Sequence, residues 1–249
     1  MLVFAAGCKR DHAAKVAESM DSRMSPLARI DPATAGVISG KVHFTGKAPE
    51  RVEIDMSQDP ACGTGADNYS EQYVEHDGGL ANVFVYVKSG LNGTRYAVPS
   101  APVVLDQKGC QYVPHVVGVM AGQAVEFRNS DPTMHNVHTM DSEVSGSGPN
   151  KSIDISEGPM GSPQTEVFRH PQLMMEVRCN NHPWMNAFIN VVESPFYAVS
   201  DADGHFEIKG LPAGTYTISA VHEKLGEQSS TVVVAAQKTS PASFTFAMK

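Results

Sequence analysis

Residues 179–185 read CNNHPWM. A thiol, an imidazole and a thioether recur at intervals of three, with a proline and the only tryptophan of the chain between them. The run before it, LMMEVRC, has the period of a β-strand: Leu173, Met175, Val177 and Cys179 share one face, and Met174, Glu176 and Arg178 the other. Cys179 is therefore expected to point inward from the end of an apolar face. His182 and Met185 follow in a turn that Pro183 stiffens by fixing its own backbone angle. A buried thiol by itself is most often inert packing. A thiol followed by His at three and Met at six is instead the pattern of a metal ion that prefers sulfur.

Such an ion needs a fourth donor from elsewhere, and SDPTMHNVHTM (130–140) offers His135 and His138. In an extended strand these two point to opposite faces, so one ion takes one of them. His135 shares its face with Val137, an inward-type residue, and His138 shares its face with Asn136 and Met140. The alternation favours His135 without deciding. Two imidazoles, one thiolate and a weak thioether select copper, because this set serves Cu(I) and Cu(II) alike. Zinc would take a carboxylate, a water or a second thiolate in place of the methionine. A site that barely reshapes between oxidation states is suited to electron transfer.

CNNHPWMNAFINVVE, together with VVGVMAGQAVEFRNSDPTMHNVH, resembles the cupredoxins, most closely the amicyanin and plastocyanin branch. The resemblance covers about residues 100–193 and implies a Greek-key sandwich holding one type 1 copper ion. It places the ligands at His135, Cys179, His182 and Met185. It also implies supporting roles for Asn136, beside the cysteine sulfur, and for Pro183 and Trp184 in the ligand loop. His182 is then expected to show its edge to solvent within an apolar patch and to pass the electron. Trp184 belongs either to that patch or to the core. The chain departs from the pattern in having Trp184 where Phe is usual, and in lacking a glycine in RHPQLMM.

Outward from this region, almost every signal is β. VISGKVHF alternates, LANVFVYVKSG is strongly β-prone, and strand-and-turn units continue to Gln237, broken by the Gly/Ser/Pro-rich stretch 141–165. No helical period is sustained, and the fold class is all-β, with sandwich architecture. DADG (201–204) lacks the further oxygens of a calcium loop and reads as a hairpin turn. The tail from Tyr197, with DADGHFEIKGLPAGTYTI, resembles a carboxypeptidase regulatory-like β-sandwich module, of Ig/transthyretin-like kind. The beginning of that module usually reads Gly-x-Val, Gly-x-x-Pro and a Val-rich strand. It is found far upstream, as ISGKVHFTGKAP and LANVFVYV. Either the copper domain is inserted into the module or the two stand in tandem. The expected segments are a residual signal at 1–8, a flexible tether at 9–35, a β segment at 36–99, the copper domain at 100–193 and the regulatory-like module at 194–249. If the module is split, residues 36–60 and 80–90 pack against the C-terminal segment.

MLVFAAGCKR resembles the end of a bacterial lipoprotein signal with Cys8 as the lipidated residue, and seven preceding residues imply that the signal extends upstream. The polar stretch 9–35 would reach roughly 30 Å as coil. With Cys8 lipidated and Cys179 on the metal, Cys62 and Cys110 remain as a disulfide pair in an exported protein. The closed loop would stabilise the fold by about 4 kcal/mol in the chain-entropy model.

The formal net charge of -8 argues against a nucleic-acid partner. The excess is local: residues 50–77 hold eight acidic residues against one basic, Arg51. Such a stretch is a solvated loop or a docking surface for a basic partner. The functional expectation is an electron carrier, not an enzyme, on the periplasmic side of a bacterial envelope. Its contact with the membrane is through a lipid anchor alone, and its partner is a redox protein, with c-type cytochromes as one candidate class. Alternatives are a copper buffer using some of the twelve methionines, and a scaffold or adhesion protein with a vestigial site. Nitrite reductase or oxidase chemistry needs a second copper site. His43, His76, His115, His170, His205 and His222 share no ligand spacing.

Overall fold

The computed structural model describes residues 26–62, 68–140 and 150–248. Cys8 and the first part of the expected tether lie outside them. The described residues contain strands and turns and no helix.

The described strands form two sandwiches, and the first and last of these strands lie in the same one. The described chain first forms β1 (Gly36–Thr45), β2 (Glu75–His76), β3 (Gly79–Leu80) and β4 (Phe84–Ser89). It then builds the second sandwich from β5 (Val103–Gln107), β6 (Tyr112–Val113), β7 (Val116–Met120), β8 (Ala124–Asn129), β9 (His135–Thr139), β10 (Asp154–Glu157), β11 (Gln164–Val167), β12 (Gln172–Arg178) and β13 (Asn186–Val192). It returns with β14 (Tyr197–Val199), β15 (His205–Leu211), β16 (Gly214–His222), β17 (Gly226–Val234) and β18 (Thr239–Ala247).

In the first sandwich β1 runs antiparallel to β15 and parallel to β18, and β4 lies between β14 and β16. Strands from both ends of the chain thus close one core. Ile38, Val42 and Phe44 from β1 meet Val85 and Val87 from β4 and Phe206, Ile218 and Phe244 from the C-terminal part. The pairing is that of a second sandwich inserted between β4 and β14. Residues 201–204 turn the chain from β14 into β15, with Gly204 at φ 81 and Asp201 Oδ1 accepting the amides of Asp203 and His205.

The second sandwich packs the sheet β10–β9–β12–β13–β7 on the sheet β11–β8–β5–β6. Its core holds Leu105, Val125 and Phe127 against Val137, Val177 and Ile189. The sandwiches adjoin through Phe84 and Val221 of the first and Val116, Leu173, Met174, Phe188 and Val192 of the second. Gly118 lies at this seam, where a Cβ would come within 2.6 Å of the Phe84 ring and 2.5 Å of the Tyr197 ring.

Three expectations need correction. The alternation in LMMEVRC is not continuous, because β12 shifts register between Gln172 and Met175 and Met174 takes φ 50. Met175, Val177 and Cys179 keep the core face, while Leu173 and Met174 both serve the seam. The end of the expected tether is docked: Ala28 bridges to Tyr96 and donates its amide to Arg95 O at 2.7 Å. Finally, residues 53–62 do not pack on the C-terminal segment. Met56 and Cys62 are buried in the core of the second sandwich, with Ile54 against it. The β1–β2 connection of one sandwich therefore reaches across to the other.

Candidate metal centre

Cys179 lies directly after β12, and the ligand loop closes on itself: Cys179 N donates to Met185 O at 3.2 Å, and Met185 N donates to His182 O at 2.9 Å. These two bonds turn seven residues into a compact hook whose sulfur and imidazole face the same point. His135 opens β9, where it arrives from the neighbouring strand. Its Nδ1 lies 3.0 Å from His182 Nδ1, and His182 Nδ1 lies 3.6 Å from Cys179 Sγ. All three residues are buried. Met185 is buried as well, 1% exposed. His138, on the opposite face of β9, stays outside this cluster and meets Asn180 Oδ1 at 3.1 Å.

The far nitrogens decide the chemistry. His135 Nε2 is 2.8 Å from Asp131 Oδ2, and His182 Nε2 is 3.1 Å from Asp59 Oδ2. A carboxylate only accepts, so each Nε2 carries the proton and donates it. Both Nδ1 atoms then present lone pairs toward each other and toward the sulfur. A metal ion placed between these two nitrogens, 3.0 Å apart, would accept both lone pairs. Two nitrogens each about 2.0 Å from one ion are at most about 4 Å apart, and a sulfur and a nitrogen at most about 4.3 Å. The observed separations of 3.0 and 3.6 Å satisfy both limits. The donor set therefore fits a metal ion, which His135, Cys179 and His182 would hold. Burial pushes the His135 imidazole below its ordinary pKa, which keeps it in the neutral, ligating form.

The carboxylates are themselves held. Asp131 accepts the amides of Gly109 and Cys110 at 2.7 and 2.8 Å. Asp59 accepts Thr133 Oγ1 at 2.7 Å and the Ala61 amide at 2.8 Å. The Thr133 hydroxyl, then the Ala61 amide, hold the Asp59 carboxyl down at about 2. Asn136 Oδ1 accepts the amide of Asn180, the residue after Cys179, at 3.3 Å, and its Nδ2 donates to Asp154 Oδ1 and Ile155 O. Pro183 is exposed at the tip of the loop. Trp184 is half-buried; its ring lies 5.1 Å from that of His182 and its Nε1 donates to Cys110 O at 3.1 Å. Cys62 and Cys110 form a disulfide.

The expected solvent-facing edge of His182 is not present. The residue is 4% exposed, because Asp59 sits on the nitrogen that would face outward. The acidic stretch 50–77 is accordingly more than a solvated surface, since one of its carboxylates belongs to the site. Sequence reading found neither Asp131 nor Asp59. Asp131 had a weak signal, an acid four residues before a ligand histidine; Asp59 had none.

A family model for the carboxypeptidase regulatory-like domain matches residues 177–249. It begins inside the second sandwich and, as one continuous stretch, excludes β1 and β4. No curated protein shows a significant sequence match. Among solved structures, a copper-containing nitrite reductase from Thermus scotoductus SA-01 is similar at 25% identity and TM-score 0.34, over 40% of this chain and 24% of that chain. The present chain thus spans about a quarter of that relative. A methionine-to-alanine variant of amicyanin in its Cu(I) form is similar at 18% identity and TM-score 0.31, over 43% of this chain and 97% of that one. A purple cupredoxin from Nitrosopumilus maritimus gives 18% identity and TM-score 0.29, over 36% and 98%. Likenesses of this size carry no functional weight, and the chemistry of the site stands on its own atoms.

Proposed function

We propose that the chain is a blue-copper electron-transfer protein with one type 1 copper ion, held by His135, Cys179 and His182 with Met185 as the weak fourth donor. The observation that carries this reading is the convergence of His135 Nδ1, His182 Nδ1 and Cys179 Sγ, with both Nε2 atoms committed to carboxylates. When bound, copper would supply one-electron cycling between Cu(I) and Cu(II). The protein's own part is to hold the donors in place. Asp131 and Asp59 fix the imidazole tautomers. Asn136 ties the strand of His135 to the backbone beyond Cys179, so both sides of the site move together. Burial of the donors in an apolar core excludes water.

In this reading the protein is a carrier and not an enzyme. It works on the periplasmic side of a bacterial envelope, tethered through Cys8, and exchanges electrons with a redox protein such as a c-type cytochrome. The disulfide and the lipoprotein-like start support that compartment. One observation favours a second reading, a copper buffer: His182 offers no exposed edge for rapid electron exchange. Electrochemistry of the copper-loaded protein separates the two. A carrier gives an intense visible band and a reversible one-electron wave; a buffer binds Cu(I) without colour and does not cycle.

A further inference from the structure

The connection between β1 and β2 leaves the first sandwich and settles on the ligand loop of the second. It is anchored at three points. Met56 is inserted into the core of the second sandwich. Cys62 is bonded to Cys110, whose sulfur lies with those of Cys62 and a His182 nitrogen inside one 4.8 Å cluster. Asp59 accepts from Thr133 and from His182. Within the connection, Cys62 N donates to Asp59 O at 2.9 Å and Asp59 N to Met56 O at 3.2 Å, so the three anchors form one compact turn.

We infer that residues 53–62 are a disulfide-tethered cap, and that Asp59 is the positioning residue through which the cap governs His182. The inference rests on the reading of His135, Cys179 and His182 as a metal centre. His182 is on a turn rather than in a strand, so the backbone alone leaves its ring free to rotate. The Asp59 carboxylate removes that freedom: it accepts the hydrogen bond of Nε2–H and so directs Nδ1 toward the sulfur. It also covers the ring edge, which leaves His182 4% exposed. The geometry gives the disulfide a second role besides stability, because it holds the covering segment in place. The cover over the proposed ligands is supplied by a different sandwich from the one that holds them.

The test is made on the metal-free full chain, so that it does not depend on copper. Carbethoxylation by diethyl pyrocarbonate, read by mass spectrometry of peptides, reports the accessible imidazoles. In the intact protein His182 should react slowly. In Asp59→Ala, and separately in Cys62→Ser/Cys110→Ser, its rate should rise roughly tenfold or more through local opening, while His135 stays protected in both. Nitrogen NMR should find His182 protonated at Nε2 in wild type and mixed between tautomers in Asp59→Ala. Circular dichroism identifies a variant that has unfolded, and Asp59→Asn, which keeps the shape, then replaces it. Equal His182 rates in wild type and the variants overturn the cap. Protection of His182 in a protein that takes up no copper overturns the metal reading and leaves the cap standing.

Discussion

His135 Nδ1 and His182 Nδ1 face each other at 3.0 Å across a buried point that Cys179 Sγ also borders. Their outer nitrogens are occupied by Asp131 and Asp59. In the proposed centre a metal ion would accept both Nδ1 lone pairs, and each donor has its own part.

In the proposed centre Met185 is the weakest donor. Met185→Leu should retain copper and the visible band and raise the reduction potential, since an apolar side chain removes a donor that favours Cu(II). Voltammetry of wild type and variant checks this; an unchanged or lowered potential would mean that the thioether is not a ligand.

The disulfide closes a separation of 48 residues. Replacing both cysteines by alanine should destabilise the protein by about 2–4 kcal/mol. Urea denaturation gives the number, and peptide mapping without reductant should recover Cys62 linked to Cys110.

Truncation after Pro195 removes β14–β18 and with them the partners of β1 and β4. The shortened chain should lose cooperative unfolding in its N-terminal part. A remainder with the full protein's thermal midpoint would refute the shared core.

His222 is 2% exposed, beside the rings of Tyr73 and Phe246. Burial holds its imidazole down to about 4 from an ordinary 6.5, with Glu223 opposing and His115 and Lys224 adding to the shift. Between these values the unfolded chain binds a proton that the folded chain refuses, so this group makes stability fall as pH drops from 6.5 toward 4. His222→Phe should flatten that limb of the stability curve. Identical slopes for wild type and variant between pH 7 and 5 would show that His222 titrates normally.

How much of this was legible in the sequence follows from the range of each interaction. The ligand hook was legible because its donors lie within seven residues and its strand carries a local period. The parity of β9 favoured His135 over His138, and the resemblance to the cupredoxins chose it. The break in alternation at Met174 was hidden, because it is set by Asn190, whose Oδ1 accepts the Met174 amide at 2.9 Å from the adjoining strand. Asp59 was hidden for a stronger reason. It lies 123 residues from His182, and nothing local in the acidic stretch separates it from its solvated neighbours. Its position depends on the path of a loop between sandwiches, which no pattern in one segment encodes.

The central claim is that Cys179 supplies the thiolate of a copper centre. The most direct measurement is the visible spectrum of copper-loaded wild type beside copper-loaded Cys179→Ser. The account predicts an intense sulfur-to-copper band in wild type and its loss in the variant, even where the variant still binds the ion through His135 and His182. Two colourless proteins, or two equally coloured ones, would contradict it.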